Sequence, residues 1–217
     1  SRPPTADASV NSEDVEDLAA AAAAAQLREA SCAVLEGHED RVTGLVVLGA
    51  PAPAGTIVSV SWDLTIRWWT LLPAEHEDAL IDMIEHAHDD LINGVAYNPT
   101  KHQIATCSAD RGVKVWEAGK RTLSATLSGH TADVGHVAWN AVHSVWMTGS
   151  EDNTIRIWDT LGFELRRINT RDAVSALNTD ANWGFALAAF NDTSYGLHIY
   201  ALGLDAEEEA AAAAAAA

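Results

Sequence analysis

The chain has 217 residues, enough for one or two domains with a sizeable core, and carries 31 acidic against 13 basic side chains, a formal charge of −18. That balance repels phosphate backbones and anionic lipid, so neither nucleic acid nor membrane is an expected partner. Two cysteines without a CxxC pair, Cys32 and Cys107, and no apolar stretch long enough to span a bilayer outside the alanine runs predict an intracellular protein with neither signal peptide nor membrane helix.

Residues 1–30 hold Pro3, Pro4 and scattered Ser, Asp and Glu without hydrophobic periodicity. They read as an acidic, alanine-rich tail, with a short helix over residues 16–30 from alanine propensity alone. A second alanine run, residues 210–217, ends an acidic tail over 203–217. Between the tails, residues 31–202 alternate short β-branched and aromatic runs with Gly, Asn, Asp and Pro, the texture of many short antiparallel strands. Residues 32–35 are expected to be an outer strand that lacks its own first three.

Three segments then end alike. They are Ser61-Trp62-Asp63-Leu64-Thr65-Ile66-Arg67-Trp68-Trp69, Ser108-Ala109-Asp110-Arg111-Gly112-Val113-Lys114-Val115-Trp116 and Ser150-Glu151-Asp152-Asn153-Thr154-Ile155-Arg156-Ile157-Trp158. Gly37-His38, Ala87-His88 and Gly129-His130 open the three units. The aspartates lie 47 and 42 residues apart, and Asp to Trp is six residues every time. His to Asp is 22 residues in units two and three and 25 in unit one, where residues 50–55 supply the excess. A fourth, degenerate unit follows: strands over 173–177, 185–190 and 197–200, with a turn at Asn191-Asp192.

These residues resemble the WD-repeat family, whose units of about 40 to 45 residues each build one four-stranded propeller blade. The likeness covers roughly residues 33–201. It implies an all-β propeller, about four blades of it (three regular, one degenerate), as part of a larger ring; an overlap of the two ends into a four-bladed ring is the alternative. It also implies a hydrogen-bonded chain of histidine, second-strand hydroxyl, turn aspartate and third-strand tryptophan in each regular blade. By position these are His38, Ser59, Asp63 and Trp69; His88, Thr106, Asp110 and Trp116; His130, Thr148, Asp152 and Trp158. The competing reading is a catalytic Ser-His-Asp set. An active site is needed once, and this set recurs three times at blade spacing, so the structural role is preferred. In the fourth unit Thr170 and Ala188 replace the histidine and the hydroxyl, and Tyr200 stands in for the tryptophan.

His86-Ala87-His88-Asp89-Asp90 invites a metal reading, but His88 already belongs to a blade, so no metal or cofactor is expected. No glycine-rich phosphate loop, HExxH or GxSxG occurs. Trp158-Asp159-Thr160-Leu161 lacks the arginine that some relatives use to join cullin ligases. The expected function is a non-enzymatic, protein-binding scaffold in a multiprotein complex, with a regulatory or substrate-receptor subunit of an enzyme complex as the alternative. A cytoplasmic location, and more loosely a cytoskeletal or ciliary one, goes with it.

Two surfaces are candidates for partners. By the resemblance, partner-facing positions on the top face lie three and five residues after the histidine and just before the aspartate. These are Arg41, Thr43 and Trp62; Leu91, Asn93 and Ala109; Asp133, Gly135 and Glu151. Trp62 and Arg41 could form one anchor through a cation–π contact, since Trp and Arg dominate binding hot spots. On the bottom face, residues 50–55 and the 19-residue span from Trp69 to His88 (against 14 from Trp116 to His130) enlarge blade one. Glu75, Glu77, Asp78, Asp82 and Glu85 in that span suggest docking of a basic segment.

Overall fold

A computed structural model describes residues 34–71, 78–180, 184–190, 197–200 and 202. The chain divides into a unit Ser1–Glu36 and a unit Gly37–Ala217. Of the first, only residues 34–36 are described, and they form no strand. The outer strand expected over 32–35 is therefore absent at Val34 and Leu35, where Val34 is largely exposed with no ladder to shield it. Cys32, the helix expected over 16–30 and the C-terminal tail lie outside the described residues.

The second unit is all β, with four antiparallel sheets among the described residues. Blade 1 consists of β1 (Val42–Val47), β2 (Thr56–Ser61), β3 (Ile66–Thr70) and β4 (Leu80–Ile84). Blade 2 consists of β5 (Ile92–Asn98), β6 (Gln103–Ser108), β7 (Val113–Glu117) and β8 (Thr122–Leu127). Blade 3 consists of β9 (Val134–Asn140), β10 (Val145–Ser150), β11 (Thr154–Trp158) and β12 (Glu164–Asn169). Blade 4 has β13 (Val174–Thr179), β14 (Ala186–Phe190) and β15 (Leu197–Tyr200). In every sheet sequence order is spatial order, the meander of a propeller blade.

Burial explains why the middle strands read as unbroken apolar runs. β2, β6 and β10 are covered on both faces, so Val58, Ala105 and Met147 are as buried as their neighbours on the other face. The outer strands β8 and β12 are largely exposed and tolerate Arg, Glu and Ser. Three apolar clusters fill the spaces between successive blades. Val58, Ile66, Trp68 and Ile104 lie between blades 1 and 2. Cys107, Val115, Trp146 and Trp158 lie between blades 2 and 3, and Met147, Ile157 and Val174 between blades 3 and 4. Burial pushes the Cys107 thiol up to about 12, so it is an inert core group.

Each inner strand carries a bulge near its start, at Val42/Gly44, Ile92/Gly94, opposite Gly149/Ser150 and at Val174/Ala176. The unpaired residues are Thr43, Asn93, Gly135 and Ser175. A bulge re-aims its extra side chain, and here it aims it at the next blade: Thr43 Oγ1 donates to the Ile92 carbonyl at 2.6 Å, and Asn93 Nδ2 to the Val134 carbonyl at 3.1 Å.

The two end faces of the series are open. Leu45 pairs with Ser59, as Val95 pairs with Thr106, Val137 with Thr148 and Leu177 with Ala188. Val95, Val137 and Leu177 pack on the preceding blade. Leu45 and Val47, on the same face of blade 1, are 64% and 58% exposed. At the far end Leu197 and Ile199 of β15 are 65% and 64% exposed. Both ends present blade-shaped apolar faces, as expected for an arc of a larger propeller.

Candidate functional site

The histidine, hydroxyl, aspartate and tryptophan of each regular blade form one hydrogen-bonded chain that runs from the top-face turn to the far end of the third strand. In blade 1, His38 Nδ1 lies 2.8 Å from Asp63 Oδ2, His38 Nε2 lies 2.7 Å from Ser59 Oγ, and Trp69 Nε1 donates to Ser59 Oγ at 2.7 Å. In blade 2 the matching distances are 2.8 Å (His88–Asp110), 2.8 Å (His88–Thr106) and 3.0 Å (Trp116–Thr106). In blade 3 they are 2.8 Å (His130–Asp152), 2.7 Å (His130–Thr148) and 2.9 Å (Trp158–Thr148).

Proton counting orders each chain. The indole can only donate, so the hydroxyl oxygen accepts from it and gives its own proton to His Nε2. The imidazole must then carry its proton on Nδ1 and donate it to the carboxylate. Burial lowers the pKa of His88 and His130 against the opposing pull of Asp110 and Asp152, which keeps both rings neutral. Asp152 is held down to about 2: burial would raise it, but hydrogen bonds from Thr154, His130 and the Thr131 amide prevail. Asp63 and Asp110 are lowered in the same manner, burial again opposing. The ring stands where a general base would, but Ser59, Thr106 and Thr148 are buried and each oxygen also accepts an indole N–H, so no substrate atom can approach the hydroxyl. The geometry ties the strands of each blade together.

In the fourth unit Thr170 Oγ1 donates to the Asp172 carbonyl at 2.8 Å, Ala188 is buried, and Tyr200 Oη meets His198 Nδ1 at 3.4 Å. Asn191 and Asp192 lie outside the described residues. Among the described residues no group of three His, Cys, Asp or Glu side chains is placed to hold a metal.

On the top face, the residue before each aspartate is tied to the residue three after each histidine through the backbone. Trp62 N donates to Arg41 O at 3.0 Å, Ala109 N to Leu91 O at 2.9 Å, and Glu151 N to Asp133 O at 3.0 Å. This bond puts the two side chains side by side on the rim. Arg41 is exposed and its guanidinium carbon sits 5.1 Å from the Trp62 ring centroid. Trp62 is half-buried, and its indole N–H has no partner among the described residues. Thr43 and Asn93 stand apart from this rim: their polar groups are taken up by the neighbouring blade, and Gly135 offers no side chain. Glu39, Asp40, Asp89, Asp90, Asp133 and Glu151 are exposed around the same face.

On the bottom face the picture differs from the sequence expectation. Asp82 lies within β4 and pairs with Arg121 at 2.9 Å, and Glu85 follows the far end of β4, on the way to His88. Neither belongs to a bottom loop, because the third-to-fourth strand connection ends at Leu80. Asp78 is exposed in that connection, and Glu75 and Glu77 lie outside the described residues. Sequence reasoning also missed a cleft of about 290 Å³ between blades 1 and 2, lined by Pro51, Pro53, Trp68, Ile81, His102 and Arg121 among others. The available signal was Trp68, which stands where the other units have Val115 and Ile157.

The WD domain, G-beta repeat family matches residues 30–70, 81–117 and 121–159. Among curated proteins, the chain is 28% identical over 174 residues to a probable coatomer subunit beta′ of Schizosaccharomyces pombe, covering 78% of this chain and 21% of that one. It is 26% identical over 173 residues to a ribosome biogenesis protein WDR12 homolog of Trichoplax adhaerens, covering 67% and 39%. The chain thus spans from about a fifth to two fifths of the length of these relatives. The crystal structure of the RRP9 WD40 repeats superposes with a TM-score of 0.65 at 20% identity, over 77% of this chain and 53% of that one, which shows the shared fold. U3-55K superposes equally well, over 54% of its length. These relatives lend no support to a cytoskeletal or ciliary role.

Proposed function

The chain belongs to the WD domain, G-beta repeat family, and from that premise we propose a non-enzymatic scaffold whose top face holds another protein within a multiprotein assembly. The observation that carries this reading is the Arg41–Trp62 pair. At the same turn position the other two regular blades have Ala109 and Glu151 and the fourth unit has Asn191, so the large aromatic is particular to blade 1. A tryptophan roofed by an arginine at a rigid rim combines apolar area with directed charge, the composition of a hot spot. The recurring His-Ser/Thr-Asp sets, all spent on blade geometry, favour a scaffold over an enzyme. The relatives' names, a coatomer subunit and a ribosome biogenesis protein, point the same way.

The exposed carboxylates around the rim favour a partner with basic segments and disfavour a phosphate backbone. The test is affinity capture of partners from native extract with the wild-type chain and with Trp62→Ala, followed by titration of the recovered partner. The expected loss on Trp62→Ala is about 2 kcal/mol or more of binding free energy, at an unchanged melting temperature. Equal binding by the variant, or an early-melting variant that binds normally when folded, would remove the top-face anchor.

A further inference from the structure

At the bottom of blades 2 and 3 the charge pattern of the top face is reversed. Three turns meet there: residues 99–102 between β5 and β6, 118–121 between β7 and β8, and 159–163 between β11 and β12. The Ala118 amide donates to the His102 carbonyl at 3.0 Å, and Lys101 Nζ donates to Thr160 Oγ1 at 2.6 Å. The carboxylates in and beside these turns are engaged within the protein. Glu117 accepts from Gln103 Nε2 at 2.8 Å, Asp159 from the Leu161 and Phe163 amides at 2.8 Å each, and Glu164 from Arg156 NH1 at 2.7 Å. Lys101 and Lys120 are exposed, and neither has an ion pair among the described residues. Arg121, by contrast, is paired with Asp82. A chain of charge −18 thus turns two unpaired ammonium groups outward on this face.

The same face holds out two apolar side chains. Leu161 and Phe163 are 71% and 67% exposed, yet the turn that carries them is fixed on three sides. Asp159 Oδ1 accepts from both of their amides, and the Asp159 amide donates to the Phe163 carbonyl at 3.0 Å. Gly162, at φ +99°, is seated on β8: a Cβ there would meet Leu127 Cδ2 and the Thr126 carbonyl, both at 3.5 Å. Lys101 holds Thr160 from the side of blade 2. The turn is ordered before any ligand arrives, so covering Leu161 and Phe163 gains apolar burial with little further loss of backbone freedom. The matching turn of blade 2 carries Lys120 and Arg121 instead, so cations and apolar groups come from neighbouring blades.

We propose that this face docks an acidic segment of a partner protein that also carries bulky apolar residues: the apolar groups lie on Leu161 and Phe163, and the carboxylates on Lys101 and Lys120. Charge complementarity selects the occupant. A basic segment would meet two like charges here and is steered to the carboxylates of the top face. A phosphate backbone finds only two free lysines, which release about two counterions, on a chain whose net charge repels it. The surface lies on the opposite face from Arg41 and Trp62, and it rests on the scaffold reading only in taking a protein segment as its ligand.

The test selects displayed peptides that combine Asp, Glu, Lys, Leu, Phe and Ser in random order against the full chain. Enriched peptides are then labelled and titrated by fluorescence anisotropy, beside a labelled oligouridylate. Peptides with both carboxylates and Leu or Phe should be enriched. Their affinity should fall about ten-fold or more in Lys101→Glu/Lys120→Glu, and as much in Leu161→Ser/Phe163→Ser. All four side chains are exposed, so the melting temperature should be unchanged. If the lysine double variant melts early, Lys120→Glu alone replaces it; no hydrogen bond of Lys120 is lost, and binding should still weaken. No enrichment, enrichment of basic peptides only, or acidic peptides indifferent to both double variants would overturn the assignment. So would an oligouridylate that binds more tightly than the selected peptides and depends on the same lysines. Trp62→Ala is the separating control, in which peptide binding should survive. A failed selection beside an intact, Trp62-dependent complex would sink the bottom face and leave the scaffold standing.

Discussion

The Arg156 guanidinium occupies the space that a side chain at Gly129 would need. A Cβ built on Gly129 would collide with Arg156 NH1, and the same holds for Gly37 and Arg67 NH1. Both glycines have positive φ, +155° and +151°, where L side chains are strained. Blade 2 has Ala87 at this position, and there the arginine is replaced by Lys114, whose Nζ donates to the Ala87 carbonyl at 2.7 Å. Glycine with arginine and alanine with lysine are two solutions to one packing problem.

Gly129→Ala should therefore destabilise the chain, by about 1–3 kcal/mol from the backbone strain alone, with more from displacing Arg156 off Glu164. The pairing predicts coupling: in Gly129→Ala/Arg156→Lys the loss should be smaller than the sum of the single losses by about 0.5–3 kcal/mol. Denaturant unfolding of the four chains measures it. Strict additivity would show that the two residues do not share this space.

The neutral histidines make stability depend on pH in a definite direction. His88 and His130 have folded pKa values below the ordinary 6.5, burial being the main cause; His136 is lowered by burial as well. The unfolded chain takes up protons first as pH falls, so their contribution is complete above about 6.5 and is lost below it. The lowered Asp110 and Asp152 add a second loss, beginning near their ordinary value of 3.8 and continuing toward about 2 for Asp152. Melting temperature should hold from pH 8 to 7, decline below 6.5 and decline faster below 4. A midpoint that is flat from pH 7.5 to 5 would mean that the histidines are not held neutral.

The regular blades were legible because their constraints are local or periodic. Asp63, Asp110 and Asp152 each sit six residues before their tryptophan because a tight turn and one short strand separate them. The bulge was not legible. Counting from the histidine puts Thr43 and Asn93 on the partner face. The extra residue turns those side chains toward the next blade, and nothing in their local sequence marks it. Arg121 and Trp68 meet across two blades from positions 53 residues apart, so no pattern of neighbours could join them. The unusual Trp68 was visible, its environment was not.

The shared hydroxyl is the keystone of each network, which Thr148→Val can test. Valine keeps the shape and β-branching but leaves the Trp158 N–H and His130 Nε2 unpaired inside the blade. Each buried unpaired group costs about 1–3 kcal/mol, so the substitution should cost about 2–4 kcal/mol. In blade 4 the matching residue is Ala188, faced by His198 across the strand pair, while Thr170 and Tyr200 stand in place of the network's histidine and tryptophan, so Ala188→Ser should not recover what Thr148→Val loses. If Thr148→Val were neutral in thermal unfolding, the network would be geometry without energetic weight.

The final prediction concerns the open leading face. Leu45 and Val95 hold the same register position, yet Leu45 is 64% exposed while Val95 packs into the cluster between blades 1 and 2. A charge at a buried site must be desolvated without a partner. Val95→Lys should therefore cost about 3 kcal/mol or more, and Leu45→Lys only about 0.5 kcal/mol in this chain. A further blade seated on blade 1 in a longer ring would convert Leu45 into an interior residue like Val95, and Leu45→Lys would then become as costly as Val95→Lys. Comparing both substitutions in this chain and in a chain extended before residue 1 reads directly whether a blade occupies that face. Equal, large losses already in the present chain would show that the face is covered here, and the open arc would have to be given up.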